Sequence, residues 1–239
     1  MSVEDVAQVL EMRAHAPELT AEHVAQRARQ ASVLGLGAVL CRPEHVRVAA
    51  EAVRGSRVEV GTALDFHARG GPLDGLAVLT NQARALVDRG ATVIALIATQ
   101  QRLEVDGGRA FAAALGAVTT AAHHQGASSR AVIDVGRMDL EQEIAAAKLC
   151  LDAGASLIQV GVWDGRRANF GHMRQLRRAL GPRVLLKWTT PVRSIDVLLL
   201  AIAEGMDRFN ADVGSLLDEA RSRAQWMPMA VPLHGWDYD

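Results

Sequence analysis

Cysteine is scarce in this 239-residue chain, and neither positive nor negative charge is in excess. Each of these two features excludes a class of protein. The only two cysteines, Cys41 and Cys150, make neither a disulfide framework nor a metal-ligand pattern. The 26 basic and 27 acidic residues leave a net charge of −1. Nucleic acid and anionic membranes bind a concentrated basic face, so neither is an expected partner.

A long hydrophobic run is also missing from the N-terminus. Residues 1–17 carry acidic side chains early and no apolar stretch of the length that a signal peptide or a membrane span needs. The sequence therefore predicts a cytoplasmic protein that has no membrane partner.

Short apolar runs are abundant, and they recur roughly every 20 to 40 residues, which is the spacing of a βα unit. Near-continuous apolar runs are typical of parallel strands, because helices cover both faces of a parallel sheet. The sequence predicts eight strands, at residues 9–13, 36–41, 58–63, 92–98, 131–135, 156–162, 183–188 and 207–211.

Helical patterns with capping signals lie between these runs. Thr20 is a candidate N-cap for a helix that reaches Leu34, and Asp139 with Gln142 resembles a capping box. This order of elements fits a closed barrel or an open doubly wound sheet. Eight units in 239 residues favour the barrel, so we expect a single (β/α)₈ TIM-barrel domain over residues 1–225.

Residues 226–239 form a different segment, an aromatic and proline-containing C-terminal tail. It holds Trp226, Trp236 and the only tyrosine, Tyr238. Trp236 could cover apolar substrate at the barrel mouth, so that the tail acts as a lid. Alternatively, the tail packs on the outer helices or in a homodimer interface, or it is a frayed terminus.

Catalytic groups in such barrels come from the C-terminal ends of the strands, and this rule selects the candidate site residues. They are Cys41, Arg42, Asp65, His67, Thr99, Asp134, Gln159, Trp163, Asp164, Lys187, Trp188, Asn210 and Asp212.

Lys187 is the leading catalytic candidate, because it is one of two lysines beside 24 arginines and ends an apolar strand. An apolar barrel mouth would lower its pKa, so that it could form an imine or donate a proton. The structural alternative is a lysine paired with a carboxylate, such as Asp134 or Asp212. Asp134 is the candidate general base, or else a salt-bridge partner of Lys187 or Arg193.

The remaining candidates are assigned to substrate binding: Gln159, Asn210, Asp212, Trp188, Thr99, His67, Arg42 and Tyr238. Gln159 could instead be a polar plug inside the barrel, and His67 an ordinary exposed histidine. Asp65 and His67 have no third ligand at a telling spacing, so no metal and no cofactor is expected.

Four segments resemble strands of the deoxyribose-phosphate aldolase family. Leu36–Pro43 is similar to the strand that ends in Val-Asn-Pro, and Val60–His67 to the Ile-Gly-Phe-Pro strand. Gly154–Val160 is similar to the strand that bears the Schiff-base lysine, and Val184–Arg193 to Val-Lys-Ala-Ser-Gly-Gly-Ile-Arg. The resemblance implies a class I aldolase-like barrel and a small-molecule substrate.

The departures from this family lie at the positions that carry its chemistry. The Schiff-base lysine falls on Gln159 and the catalytic aspartate on Ala95, whereas the second active-site lysine is kept as Lys187. The phosphate-binding Gly-Gly becomes Thr190-Pro191, and the second phosphate element becomes Asn210–Gly214. A proline has no N–H to offer a phosphate, so we expect an unphosphorylated substrate.

The resemblance thus predicts a divergent lyase that acts on an unphosphorylated, carbonyl-containing metabolite by aldol-type chemistry, in specialised metabolism. Two alternatives stay open. One is an isomerase, cyclase or dehydratase that forms no imine. The other is a pseudoenzyme that binds a small molecule without turning it over.

Overall fold

The strands close into one barrel, which confirms the predicted fold. The computed structural model describes residues 1–64, 73–161 and 169–232. The strands pair in chain order and in parallel, and the last strand pairs with the first. They are β1(Leu10–Ala14), β2(Ala38–Cys41), β3(Glu59–Ala63), β4(Val93–Ala98), β5(Ser128–Asp134), β6(Leu157–Gly161), β7(Leu185–Val192) and β8(Arg208–Ala211).

In the described part of the chain, ten α-helices surround the barrel. They are α1(Val3–Val9), α2(Ala21–Leu34), α3(Val46–Ala52), α4(Leu76–Asp88), α5(Gln100–Glu104), α6(Arg109–His123), α7(Leu140–Asp152), α8(Phe170–Leu180), α9(Ile195–Ala203) and α10(Val213–Ala224). The main hydrophobic core lies between these helices and the outward faces of the strands. No helix among the described residues has the length and apolar character of a membrane span.

The predicted capping signals position two of these helices. The hydroxyl of Thr20 accepts a hydrogen bond from the backbone N–H of His23 and starts α2, and Gly35 ends that helix with a φ of 68°. Glycine accepts this left-handed conformation without a steric penalty. Asp139 and Gln142 form the predicted capping box at the start of α7.

The register of the strands shows which side chains face the barrel lumen. Residues that lie opposite one another in a parallel pair point to the same face of the sheet, and the face alternates along each strand. Lys187 lies opposite Gln159, and Arg130 lies opposite Ala95. Arg130 reaches across to Glu11 on β1, so these residues face inward.

The first part of the C-terminal tail is attached to the N-terminus of the chain. The Met1 ammonium donates a hydrogen bond to the carbonyl oxygen of Met229 at 2.6 Å, and Met229 is buried. Trp226, by contrast, is 85% exposed. The predicted lid residues Trp236 and Tyr238 lie outside the described residues, so their role stays a prediction.

Candidate active site

A cluster of three charged side chains is buried in the barrel lumen. Glu11 on β1 accepts two hydrogen bonds from Arg130 on β5, at 2.8 and 3.0 Å. The same carboxylate accepts a hydrogen bond from the ammonium of Lys187 on β7. All three residues are 2% exposed or less. One carboxylate therefore faces two cations in a region that water barely reaches.

Burial and the neighbouring charges shift the pKa values of this cluster. Burial lowers the pKa of Lys187 to about 8, the Glu11 carboxylate works against that shift, and the charge of Arg130 adds to it. Burial alone would raise the pKa of Glu11, but the charges of Arg130 and Lys187 outweigh it and lower the pKa to about 2. Lys187 is thus an acid whose proton can leave near neutral pH.

A second group of polar side chains adjoins the charged cluster. Gln159 accepts a hydrogen bond from Arg130 at 3.2 Å and donates one to the Thr189 hydroxyl at 3.2 Å. Asn210 donates to the carbonyl oxygen of Thr189 at 3.1 Å. A Cβ at Gly161 would lie 2.1 Å from the Thr189 Oγ1, so glycine at that position leaves room for Thr189.

Two buried polar atoms of this group lack a protein partner. Among the described residues, neither Nε of Arg130 nor Oδ1 of Asn210 forms a hydrogen bond. Burying such atoms unpaired costs free energy, and a bound ligand is one explanation for leaving them unpaired. The charged cluster therefore combines a surplus of positive charge with an unused donor, Nε of Arg130, which suits a ligand oxygen that becomes negative. The unused acceptor, Oδ1 of Asn210, suits a ligand hydroxyl group instead.

Asp134, the predicted base, ends β5 on the lumen side, because it follows Arg130 and Val132 at steps of two residues. Its carboxylate is partly exposed and accepts a hydrogen bond from the backbone N–H of Gly136 at 3.2 Å. Lys187 does pair with a carboxylate, as its structural alternative expected, but that carboxylate belongs to Glu11 and not to the suggested Asp134 or Asp212. The role of Asp134 as a base stays a prediction.

Thr99 and Arg42 lie at strand ends, where they were predicted, but both contribute to local structure. The Thr99 hydroxyl caps α5 by accepting from the backbone N–H of Arg102 at 3.4 Å. Arg42 precedes a short 3₁₀ helix and forms an ion pair with Glu44 at 3.4 Å. Substrate binding by these two residues stays a prediction.

Trp188 and Cys41 face away from the lumen, which is a correction to the predicted site. On each strand the preceding residue faces the lumen, so these two side chains point outward. Both belong to the main core between the barrel and the helices. The indole N–H of Trp188 donates to the Thr190 hydroxyl at 2.9 Å. Burial raises the pKa of Cys41 to about 12, so it is a poor nucleophile.

The rim that follows β7 and β8, where many such barrels bind phosphate, carries carboxylates. Asp212 is exposed directly before α10, and its side chain accepts a hydrogen bond from Ser215. The backbone N–H of Ile195, at the start of α9, donates to Glu219 at 3.1 Å. β7 continues as an extended strand through Pro191. A dianion would meet negative charge at both helix starts.

A cavity of about 270 Å³ lies at the opposite end of the barrel, lined by residues such as Glu59 and Arg208 near the strand beginnings. It contains none of the predicted site residues, and the N-terminal face of such barrels serves stability rather than catalysis. No group of metal-binding side chains was found in the residues that the structure describes. The charged lumen is therefore the candidate site.

Glu11 and Arg130 are the two functional candidates that the sequence reading missed. Arg130 directly precedes the predicted strand at residues 131–135, although its two-residue spacing from Val132 and Asp134 indicates the same face. Glu11 lies in the predicted strand at residues 9–13 but is not among the candidate site residues. The predicted residues Asp65, His67, Trp163 and Asp164 lie outside the described residues.

Sequence comparisons with curated proteins find deoxyribose-phosphate aldolases, although no protein-family model matches the chain. A deoxyribose-phosphate aldolase from Thermococcus gammatolerans is 24% identical over 92% of this chain and 98% of its own length. Deoxyribose-phosphate aldolase 1 from Bacillus licheniformis is 25% identical, over 87% of this chain and 92% of its own.

Solved structures agree with this fold. The aldolase QR15 superposes with a TM-score of 0.78 at 19% identity, and covers 94% of this chain and 99% of its own. A tetrameric deoxyribose phosphate aldolase from Aeropyrum pernix superposes with a TM-score of 0.73 at 18% identity, over 94% and 93%. The predicted resemblance is confirmed: the chain is similar to deoxyribose-phosphate aldolases over most of its length, at low identity.

Proposed function

We propose that this protein is an aldolase-type carbon–carbon lyase that acts on a carbonyl compound without a phosphate group. The observation that carries the proposal is the buried cluster in which Glu11 faces both Arg130 and Lys187. Its surplus positive charge would stabilise the enolate that forms when an aldol bond breaks. The names of the curated relatives support the same reaction class.

The proposed reaction is cleavage of a β-hydroxy carbonyl compound. Asp134 accepts the proton of the hydroxyl group, that oxygen forms a C=O bond, and the bond between the α and β carbons breaks. The electron pair passes to the other carbonyl group as an enolate, whose oxygen receives a hydrogen bond or proton from Lys187. Asp134 then returns its proton to the α carbon, and Lys187 takes back any proton that it gave to the oxygen as the second C=O bond forms. The second carbonyl product is released, and no external oxidant or reductant is needed.

Lys187 acts in this proposal as an acid, and an imine at Lys187 is the second form of the same proposal. Its ion pair with Glu11 favours the ammonium, which donates protons but does not attack carbonyls. A pKa of about 8 nevertheless keeps the neutral amine accessible. Gln159, at the position of the family's Schiff-base lysine, has both ends of its amide hydrogen-bonded and favours the route without an imine.

Three features of the rim support an unphosphorylated substrate. Pro191 offers no N–H, the exposed Asp212 precedes α10, and Glu219 accepts the N–H at the start of α9. Each would weaken the binding of a phosphate dianion. A place in specialised metabolism stays a prediction from the sequence.

The test is turnover of a panel of β-hydroxy aldehydes and ketones, followed by NMR in both directions of the reaction. We expect cleavage or condensation of an unphosphorylated compound, and no turnover of deoxyribose 5-phosphate. Lys187→Met should lower kcat by about a hundredfold to a thousandfold. Lys148→Met, which alters the exposed lysine on α7, is the matched control and should leave kcat unchanged.

Borohydride trapping with intact-mass detection separates the two forms. An adduct that Lys187→Met abolishes and Lys148→Met preserves would establish the imine, whereas turnover without an adduct would establish the acid. Proton exchange or isomerisation without bond cleavage would replace the lyase by a non-imine isomerase. Unchanged turnover in folded Lys187→Met would refute the proposed role of Lys187, and binding without turnover would indicate a pseudoenzyme.

A further inference from the structure

One wall of the lumen is apolar, unlike the charged wall described above. Ala63, Ala95, Ile97 and Val132, on β3, β4 and β5, form a small hydrophobic cluster that is separate from the main core. The separation shows that these side chains do not pack with the outer helices.

The strand register places this cluster inside the barrel. Ala95 lies opposite Arg130, and Val132 lies opposite Gln159. Both polar partners face the lumen, so the two apolar residues do as well. Ile97 pairs with Val132 and Ala63 pairs with Ala95, which extends the same surface toward the mouth.

Exposure shows that open space borders this wall. Ile97 and Val132 are 5% and 7% exposed, although the outward-facing neighbours Leu96 and Ile133 are fully buried. Interior side chains usually fill the lumen of such a barrel in layers. Here two of the four wall residues, Ala63 and Ala95, are too small to reach across, and the accessible space borders Ala63, Ile97 and Val132, whereas the charged cluster beside it is buried.

We propose that this wall is a binding subsite for a hydrocarbon substituent, so that the ligand is a carbonyl compound with an alkyl chain. The carbonyl oxygen lies toward Lys187, and the chain lies against Ala95, Ile97 and Val132. The inference rests on the proposed function for the carbonyl group, and the apolar wall adds the class of substituent. A polyhydroxylated chain would leave its hydroxyl groups unpaired on this wall.

The test is a homologous series of methyl ketones, from acetone to 2-hexanone, titrated against the protein with labelled isoleucine methyl groups and followed by NMR. Each added methylene should tighten binding about threefold to fourfold until the space is filled. The Ile97 methyl signal should shift on binding. Equal affinity along the series would overturn the proposal.

Two variants connect the effect to this wall. Ala95→Val fills the space and should lower the chain length at which the gain in affinity stops. Val132→Thr replaces a methyl by a hydroxyl at nearly constant shape and should weaken the binding of the longer ketones several-fold. Val160→Thr makes the same change on the outward face of β6 and is the matched control, with no effect on the series. Unaltered binding in both lumen variants would overturn the proposal.

Binding and turnover are read separately, so the two proposals can fail separately. Chain-length-dependent binding without turnover of any carbonyl compound would support the subsite and refute the lyase. Turnover of β-hydroxy carbonyl compounds with no dependence on chain length would support the lyase and refute the subsite.

Discussion

Two charged clusters in this molecule use the same kinds of side chain differently. Outside the barrel, Arg177 on α8 donates to the carbonyl oxygens of Gly181, Val184 and Gly205 and to the carboxylate of Asp207. That carboxylate also accepts from the backbone N–H of Leu186. One cation meets one anion, and the guanidinium holds together the ends of three segments.

The inner cluster lacks this balance. Glu11 alone faces Arg130 and Lys187, and Nε of Arg130 is without a partner among the described residues. Buried charge that is not neutralised costs free energy, so a cluster of this kind does not serve stability well. The comparison suggests a division of work, in which the outer cluster fixes the α8–β7–β8 region and the inner cluster holds charge ready for a ligand.

Glu11→Gln should produce the largest effect on stability. The amide cannot neutralise either cation, and both Arg130 and Lys187 would stay buried without a counter-ion. We expect the free energy of unfolding to fall by about 3–5 kcal/mol, measured by chemical denaturation. A loss below about 1 kcal/mol would show that water or another group already balances the inner cluster, and the comparison would then break down.

Acid should weaken the wild-type protein through the same carboxylate. The pKa of Glu11 is about 2 in the folded protein, below its ordinary value of 4.5. A carboxyl group with a lowered pKa contributes stability that is complete above 4.5 and is lost as pH falls toward 2. The stability difference between wild type and Glu11→Gln should therefore shrink over this range in denaturation curves at successive pH values. A constant difference would contradict the lowered pKa.

The pH dependence of kcat/KM should report Lys187. If the ammonium is the acid, the rate falls as pH rises through about 8, whereas an amine that forms an imine gives a rate that rises there. The charge of Arg130 lowers the pKa of Lys187, so Arg130→Met should raise that pKa. The change in kcat/KM should then occur at higher pH. Arg84→Met, at an exposed site on α4, is the control and should not move it. If kcat/KM changes at the same pH in Arg130→Met as in the wild type, this pH dependence does not report the pKa of Lys187.

The fold was predictable because its signals are local. Apolar runs located all eight strands, and the capping residues Thr20 and Asp139 lie where the helices begin. Boundaries were less accurate where polar residues occupy strands. β5 begins at Ser128 rather than at 131, and β7 continues beyond 188 to Val192.

The site was only partly predictable, because its main contacts join distant parts of the chain. Lys187 could be selected from its rarity and its strand-end position. Its partner could not, since Glu11 precedes it by 176 positions and meets it only when β8 closes the barrel onto β1. Arg130 and Glu11 are 119 positions apart for the same reason. Long-range register decides such pairs, and short sequence patterns do not record it.

Asp207→Asn in the outer cluster should have the smallest effect, although it makes the same carboxylate-to-amide change as Glu11→Gln. The Asp207 side chain is 34% exposed, so water screens its charge and solvates the amide. The amide oxygen can still accept from Arg177 or from the backbone N–H of Leu186. We expect a loss of about 1 kcal/mol or less in chemical denaturation, with kcat unchanged. A loss as large as that of Glu11→Gln would show that the two clusters do not differ in kind, and a fall in kcat would assign the outer cluster a part in catalysis.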